Sequence, residues 1–163
     1  MKHPLPSGNG RNLLEVAHAG AIDGLMPTKA ATWEDADLLL RFDELAARDE
    51  TRKAIDWFRA TQLGSESPDM HPITREAREF VYVSRFIELF ESMGVLVKFQ
   101  LLNEELVHER WMIRSIWQFL KPTIERERRT IGSPTLAENF QWLAERNQSW
   151  ADRRATKGSR KSA

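Results

Sequence analysis

Two long stretches of helical periodicity meet at a single glycine and hold most of the large apolar side chains of this chain. In the first, Thr74–Met93, apolar residues recur at the three- and four-residue spacing of one helix face. Gly94 follows, and because it lacks a Cβ it can adopt the left-handed backbone that ends many helices. The second stretch, Asn103–Arg129, opens with an N-cap asparagine and acids in its first turn. We therefore expect a mostly helical chain.

Three shorter patterns complete the helical prediction. The first begins at Thr32, because Thr32 and Asp35 have the spacing of a capping box. The second runs from about Glu50 to Leu63, and Gly64 is expected to end it. The last covers about Thr135 to Trp150 and carries apolar residues at helical spacing.

Two segments leave the local structure open. Residues 95–102 read VLVKFQLL, which would suit a short strand, but no second strand-like run exists to pair with it. We therefore expect a short helix or an apolar connector there. Pro122 lies within the second long pattern, where it removes a backbone hydrogen bond. A kink or break is expected near Phe119.

These patterns predict an all-α fold in a single domain that covers residues 32–150. Its five to six helices are expected to pack as an irregular antiparallel bundle, with one long proline-kinked helix. Residues 1–31 contain three of the seven prolines and four of the eight glycines, so we expect a mostly irregular tail. Residues 151–163 are expected to form a disordered basic tail.

Composition limits the class of protein. The chain has no cysteine, which excludes disulfides and thiolate chemistry and fits a cytoplasmic location. Its 24 lysines and arginines balance 24 acids, so no overall field draws it to nucleic acid or to an anionic membrane. No apolar run approaches the ~20 residues of a membrane span. We therefore expect a cytoplasmic protein without such a span.

The charges are nevertheless distributed unevenly along the chain. Residues 34–50 contain seven acids and two arginines, whereas residues 153–163 contain five basic residues and no acid. A short basic tail can bind nucleic acid through phosphate contacts that are weak and sensitive to salt. A nucleic-acid-associated accessory protein is therefore one alternative function.

The most enzyme-like fragment is a Glu-x-x-His step formed by Glu105 and His108. Di-iron carboxylate bundles use this step to hold a metal, but they need it twice, and this chain has one copy. A helical metalloprotein is a second, weaker alternative. No phosphate loop, zinc-spaced cluster or nucleophile turn is present, so we predict no catalytic residue, cofactor or metal site, and we lean against an enzyme.

A polar cluster beside the apolar line of the second long pattern is the main candidate for a working surface. Arginines near a helix C-terminus are favourable on their own, so a solvated helix end is the alternative interpretation. Trp111 lies off the core line and is expected to stay partly exposed. The candidate interaction surface consists of Trp111, Arg114, Lys121, Arg126, Arg128 and Arg129. Its partner would be an unknown protein, or a second copy through self-association.

Several short motifs resemble a family of small bacterial all-helical proteins that is a domain of unknown function. The motifs are Phe-x-x-Met-Gly at 90–94, Asn-Glu-Glu-Leu-Val at 103–107, Trp-x-x-x-Lys-Pro-x-Ile at 117–124, arginines at 126 and 128, and Phe-Gln-Trp-Leu-Ala at 140–144. The resemblance covers roughly residues 32–145. Some members carry an N-terminal membrane helix, whereas this chain has a polar N-terminal segment. The family has no assigned activity, so the resemblance implies a helical fold and no catalytic residues.

Together these observations favour a non-enzymatic helical protein-interaction module with an accessory or regulatory role. The absence of catalytic motifs and the aromatic and arginine residues between Trp111 and Arg129 carry this interpretation.

Overall fold

The computed structural model of the chain describes residues 30–64 and 72–161. This part of the chain contains six helices and no strand, which confirms the all-α fold. The helices are α1 (Trp33–Ala47), α2 (Asp49–Gly64), α3 (Phe80–Lys98), α4 (Glu104–Arg110), α5 (Ile113–Ile131) and α6 (Glu138–Lys161). The expected irregular tail at residues 1–31 lies almost wholly outside the described residues.

Helix α1 begins with the predicted capping box. The Thr32 hydroxyl accepts a hydrogen bond from the Asp35 N–H, and the Asp35 carboxylate accepts one from the Thr32 N–H at 2.9 Å. These reciprocal bonds satisfy donors that a helix start otherwise leaves free. The helix buries Phe42 and Ala46 and ends at Ala47, and its C-cap Arg48 directly precedes α2.

Gly94 does not end α3, and the prediction that it would is wrong. The helix starts at Phe80, after the turns at residues 75–79, and continues to Lys98. A Cβ on Gly94 would lie 2.5 Å from the backbone oxygen of Asn139 in α6. The glycine is therefore needed because α6 passes directly over it. Residues 95–102 complete α3 and form a connector, which agrees with the sequence expectation.

The second long pattern is interrupted earlier than the sequence predicted. Asn103 caps α4 as expected, and its side chain accepts a hydrogen bond from the Leu106 N–H at 3.0 Å. The helical run then stops at Trp111 and Met112, where the backbone is extended or irregular, before α5 begins. Pro122 lies inside α5 without ending it. The helix therefore does not break near Phe119, and the interruption at Trp111–Met112 is one that the sequence did not predict.

Helix α6 begins later and ends later than its periodicity indicated. Ala137 adopts a positive φ of 59°, so the turns at residues 134–137 give way to helix only at Glu138. The helix then continues to Lys161, well past Trp150. The segment that the sequence assigned to a tail is thus helical over most of its length.

A connected series of aromatic rings forms the centre of the core. Adjacent rings in the series have centroids 4.9–6.2 Å apart, close enough for edge-to-face and offset stacking. The series runs Tyr82, Trp57, Phe119, Phe58, Phe86, Phe90, Phe140 and Trp117. It joins α2, α3, α5 and α6, so one continuous core fixes the orientation of α5 and its polar face.

Candidate interaction site

The outer face of α5 carries most of the predicted interaction residues. Apolar residues such as Ile116, Leu120 and Ile124 are buried, and this fixes which side of the helix faces solvent. Arg114, Lys121 and Arg129 are exposed and recur at helical spacing on that outer side. The three cations therefore lie along one side of α5, with Glu125 between Lys121 and Arg129 and 3.7 Å from the Lys121 ammonium.

Arg128 lies beside this row, and the fold holds its guanidinium in place. The Nε of Arg128 donates to the Leu136 carbonyl at 2.9 Å, and Nη1 donates to the Gln141 side-chain oxygen at 2.9 Å. The guanidinium carbon lies 5.9 Å from the ring centroid of Trp117. Two hydrogen bonds and a ring contact leave Arg128 little rotational freedom, while its planar fork retains further N–H donors.

An open cleft lies at the end of α5, next to Arg128. Its volume is about 450 Å³. The residues that line it are Glu125, Arg128, Arg129, Gly132 and Pro134. Gly132 has a φ of 66° and caps the helix in the left-handed conformation, which turns the chain sharply and opens this space. The cleft thus combines one fixed guanidinium with one exposed guanidinium.

Trp111 and Arg126 do not belong to the same exposed face. Trp111 is only 9% exposed, and its ring lies edge-on to Phe90 with centroids 5.7 Å apart, so the expected partial exposure is not found. Arg126 is half-buried and lies near the turns that precede α3.

Arg126 is close enough to Glu76, in those turns, to affect its carboxyl group. The pKa of Glu76 is lowered by hydrogen bonds from its own N–H and from the Thr74 hydroxyl, with a smaller contribution from Arg126.

Glu127 lies among the candidate arginines of α5 in the sequence, but it is a buried residue. It is only 3% exposed, and its carboxylate accepts a hydrogen bond from Arg75 Nε at 2.5 Å. One turn earlier on α5, the Thr123 hydroxyl accepts a hydrogen bond of 3.0 Å from the Ile73 N–H, so both bonds join α5 to the segment before α3. The spacing of Leu120, Ile124 and Glu127 follows the core line of α5, and this signal could have identified Glu127 as buried.

A second polar cluster joins α4 to α6. The Glu104 carboxylate accepts hydrogen bonds from Arg146 at 2.7 and 2.6 Å, and Glu104 Oε1 lies 3.0 Å from His108 Nε2. Burial raises the pKa of Glu104, but the hydrogen bonds from His108 and Arg146 outweigh it and lower the pKa to about 2. Glu104 is therefore held as a carboxylate that connects the two helices.

The Glu-x-x-His step does not form a ligand pair in this cluster. Glu105 is exposed, whereas the His108 side chain is buried beside Glu104 and lies 5.6 Å from the Trp150 ring. Within residues 30–64 and 72–161, no group of three or more His, Cys, Asp or Glu side chains could hold a metal ion. Within the same residues, no helix is long and apolar enough to cross a membrane.

The fold and the site together define an all-helical domain with a basic outer helix face. The chain belongs to the family described as a domain of unknown function (DUF4760), whose model matches residues 31–147. This match confirms the resemblance that the sequence motifs indicated. No curated protein and no solved structure matches the chain.

Proposed function

We propose that this chain is a non-enzymatic helical interaction module, and that the arginine-bearing end of α5 binds an acidic segment of a partner protein. The observation that carries the proposal is the fixed guanidinium of Arg128, which lines an open cleft together with the exposed Arg129. A positioned guanidinium suits carboxylates, because its planar donor fork can match both carboxylate oxygens.

The row of cations beyond the cleft supports the same partner chemistry. Arg114 and Lys121 continue along the outer face of α5, so an acidic helix or strand laid along α5 would meet several positive charges. Such charges mainly raise the association rate and fix the orientation of the partner. The module is proposed to act in the cytoplasm, which its lack of cysteine supports.

A charge-reversal experiment tests the proposal. The tagged chain is used to capture partners from its native host, and each captured protein is then purified and titrated against the chain directly. The double variant Lys121→Glu with Arg129→Glu is expected to weaken that titrated affinity by about 10-fold or more, because it puts like charges at the contact. The wild-type affinity should also fall as salt rises.

A matched control reverses two exposed cations on another helix. Lys53 and Arg59 are exposed on α2, so Lys53→Glu with Arg59→Glu changes the net charge by the same amount. This control is expected to keep the wild-type affinity. Equal weakening by both double variants would overturn the assignment to α5. Sedimentation over micromolar concentrations identifies the case in which the captured partner is a second copy of the chain.

A further inference from the structure

Helix α6 is longer than the core that it covers. It has 24 residues, a length of about 36 Å. Among residues 138–155, the part of α6 whose side chains the structure describes, the buried ones include Phe140, Leu143 and Asn147, and none of residues 148–155 is buried. Side chains of α4 hold the next part of the helix. Arg146 bonds Glu104, Trp150 lies against His108, and Arg154 pairs with Glu109.

The basic residues of the distal part of α6 share one side of the helix. A helical register of about 100° per residue places all five within an arc of about 120°. The five are Arg153, Arg154, Lys157, Arg160 and Lys161, which we call the α6 basic face. Asp152 is the last acid of the chain, and the same register places it roughly opposite. The register therefore assigns five cations and no acid to this side of the distal part of α6.

The residues around the α6 basic face indicate which kind of anion it suits. A helix that lies on a membrane needs large apolar residues beside its cations, whereas residues 151–161 offer only alanines. Trp150 lies on the same side of α6, but its ring is packed against His108 of α4. A row of cations with no further large apolar neighbour matches the repeated charges of a phosphate backbone, which are contacted without reading sequence. We propose that the α6 basic face binds the phosphate backbone of nucleic acid, without sequence preference.

Glu109 modulates this site from within the chain. Its carboxylate pairs with Arg154, whose guanidinium carbon also lies 4.8 Å from the Trp150 ring centroid. A phosphate that contacts Arg154 competes with this pair. Glu109→Gln is therefore expected to strengthen nucleic-acid binding by about two-fold, in keeping with the small free energy of an exposed ion pair.

The binding test uses fluorescence anisotropy with a labelled 20-base-pair duplex of mixed sequence, titrated by the full chain at 25–200 mM salt. The triple variant Lys157→Gln, Arg160→Gln and Lys161→Gln should weaken binding at low salt. It should also reduce the slope of log K against log salt by about 2.7, because each phosphate that is no longer neutralised removes roughly 0.9 from that slope. The matched control neutralises three exposed cations of α2, namely Arg52, Lys53 and Arg59, and should retain the wild-type slope.

A second variant tests whether binding requires the helical arrangement of the cations or only their presence in the sequence. Ala155→Pro keeps all five cations but interrupts α6 beyond the core, since Ala155 is exposed and proline disrupts a helix interior. It is expected to weaken binding several-fold. Wild-type affinity for Ala155→Pro, an unchanged slope for the triple variant, or no binding by the wild type at 25 mM salt would each overturn the proposal. Binding to anionic phospholipid vesicles in preference to the duplex would do so as well.

Discussion

Sheltered carboxylates connect parts of the chain that are distant in sequence. Glu91 accepts hydrogen bonds from residues 48 and 49 positions away, Glu104 from a residue 42 positions away, and Glu127 from one 52 positions away. The exposed pair of Arg41 with Asp37 lies within one helix and contributes at most about 1 kcal/mol. Single substitutions at the sheltered acids should therefore affect stability more than substitutions at the surface pairs.

Glu104→Gln is expected to reduce stability and to flatten its dependence on pH. The pKa of Glu104 is lowered in the fold to about 2, so its contribution is complete above the ordinary pKa near 4.5 and is lost as the pH falls toward 2. Wild-type protein should therefore lose about 1–2 kcal/mol more than the variant between pH 5 and pH 2. Urea unfolding at pH 7, 5, 4, 3 and 2 measures this difference.

Glu105→Gln is the matched control for that experiment, because Glu105 is the exposed neighbour on α4. It should follow the wild-type pH dependence throughout. If Glu105→Gln flattens the profile as much as Glu104→Gln does, the bond between α4 and α6 is not its cause.

Gly94→Ala is expected to destabilise the fold by about 1–3 kcal/mol through overpacking. The added methyl group would lie 2.5 Å from the Asn139 carbonyl oxygen, so α3 and α6 must separate to admit it. Gly132→Ala provides a comparison, because a Cβ there meets no atom within 4 Å and only the φ of 66° resists it. Gly132→Asn should restore part of the loss there, since asparagine tolerates this backbone. Urea unfolding should show that Gly94→Asn lowers the free energy of unfolding at least as much as Gly94→Ala does.

At the scale of helices, the first N–H groups of α6 are capped by a side chain of α3 and not by a neighbouring residue in the sequence. The Glu91 carboxylate of α3 accepts hydrogen bonds from the Asn139 N–H at 3.1 Å and the Phe140 N–H at 3.0 Å. It also accepts one from the Asn139 side chain at 2.7 Å. A carboxylate at a helix N-terminus further benefits from the helix dipole. The capping bonds and the packing of α3 against α6 therefore form together.

Glu91→Ala is expected to lower stability by about 1–2 kcal/mol, because the freed N–H groups at the start of α6 lose a charged acceptor. Glu88→Ala is the control, since Glu88 lies one turn earlier on α3 and pairs with Arg85 at the surface. That change should cost less than about 1 kcal/mol. Thermal unfolding followed by circular dichroism measures the stability of both variants. Equal losses of stability would show that the cap provided by Glu91 contributes no more than a surface ion pair.

The helical elements followed from the sequence because periodicity and capping are local properties. The capping box at Thr32 and the cap at Asn103 involve residues three positions apart, and both were predicted. Gly94 was misassigned because a glycine that ends a helix and a glycine that another helix crosses look the same locally. The break at Trp111–Met112 was missed because both flanking segments keep a buried apolar face.

The candidate site was predictable only in outline. The exposure of Arg114, Lys121 and Arg129 follows from their position opposite the core line of α5, which is a local property of the sequence. The burial of Trp111 and the bonds of Arg128 depend on Phe90, Leu136 and Gln141, which lie on other segments. Contacts between distant segments of this kind leave no local pattern.

At the scale of the whole molecule, the aromatic series joins α2, α3, α5 and α6, so we expect the domain to unfold as one cooperative unit. Phe90 is its most connected member, because its ring contacts Phe86, Phe140 and Trp111 on three different segments. Removal of this ring would leave a cavity where α3, α6 and the α4–α5 junction meet. No helix pair among the described residues is expected to unfold without the others.

Phe90→Ala is expected to cost about 3–5 kcal/mol of unfolding free energy, because the ring is fully buried and its cavity cannot be filled from solvent. Urea unfolding should be followed both by far-ultraviolet circular dichroism and by tryptophan fluorescence. Since the aromatic series includes Trp57 and Trp117 and touches Trp111, both signals should change at one midpoint. If Phe90→Ala does not fold, Phe90→Leu makes a smaller cavity and tests the same coupling.

Phe99→Ala is the matched control, because Phe99 is 69% exposed just after α3 and its removal leaves no cavity. Phe99→Ala should lower the free energy of unfolding by no more than about 0.5 kcal/mol. Two separate transitions in the Phe90 variants would show that α6 and α2 unfold independently, which contradicts a single core. One shared transition at lower urea is expected, since a break in the middle of a connected series weakens every helix attached to it.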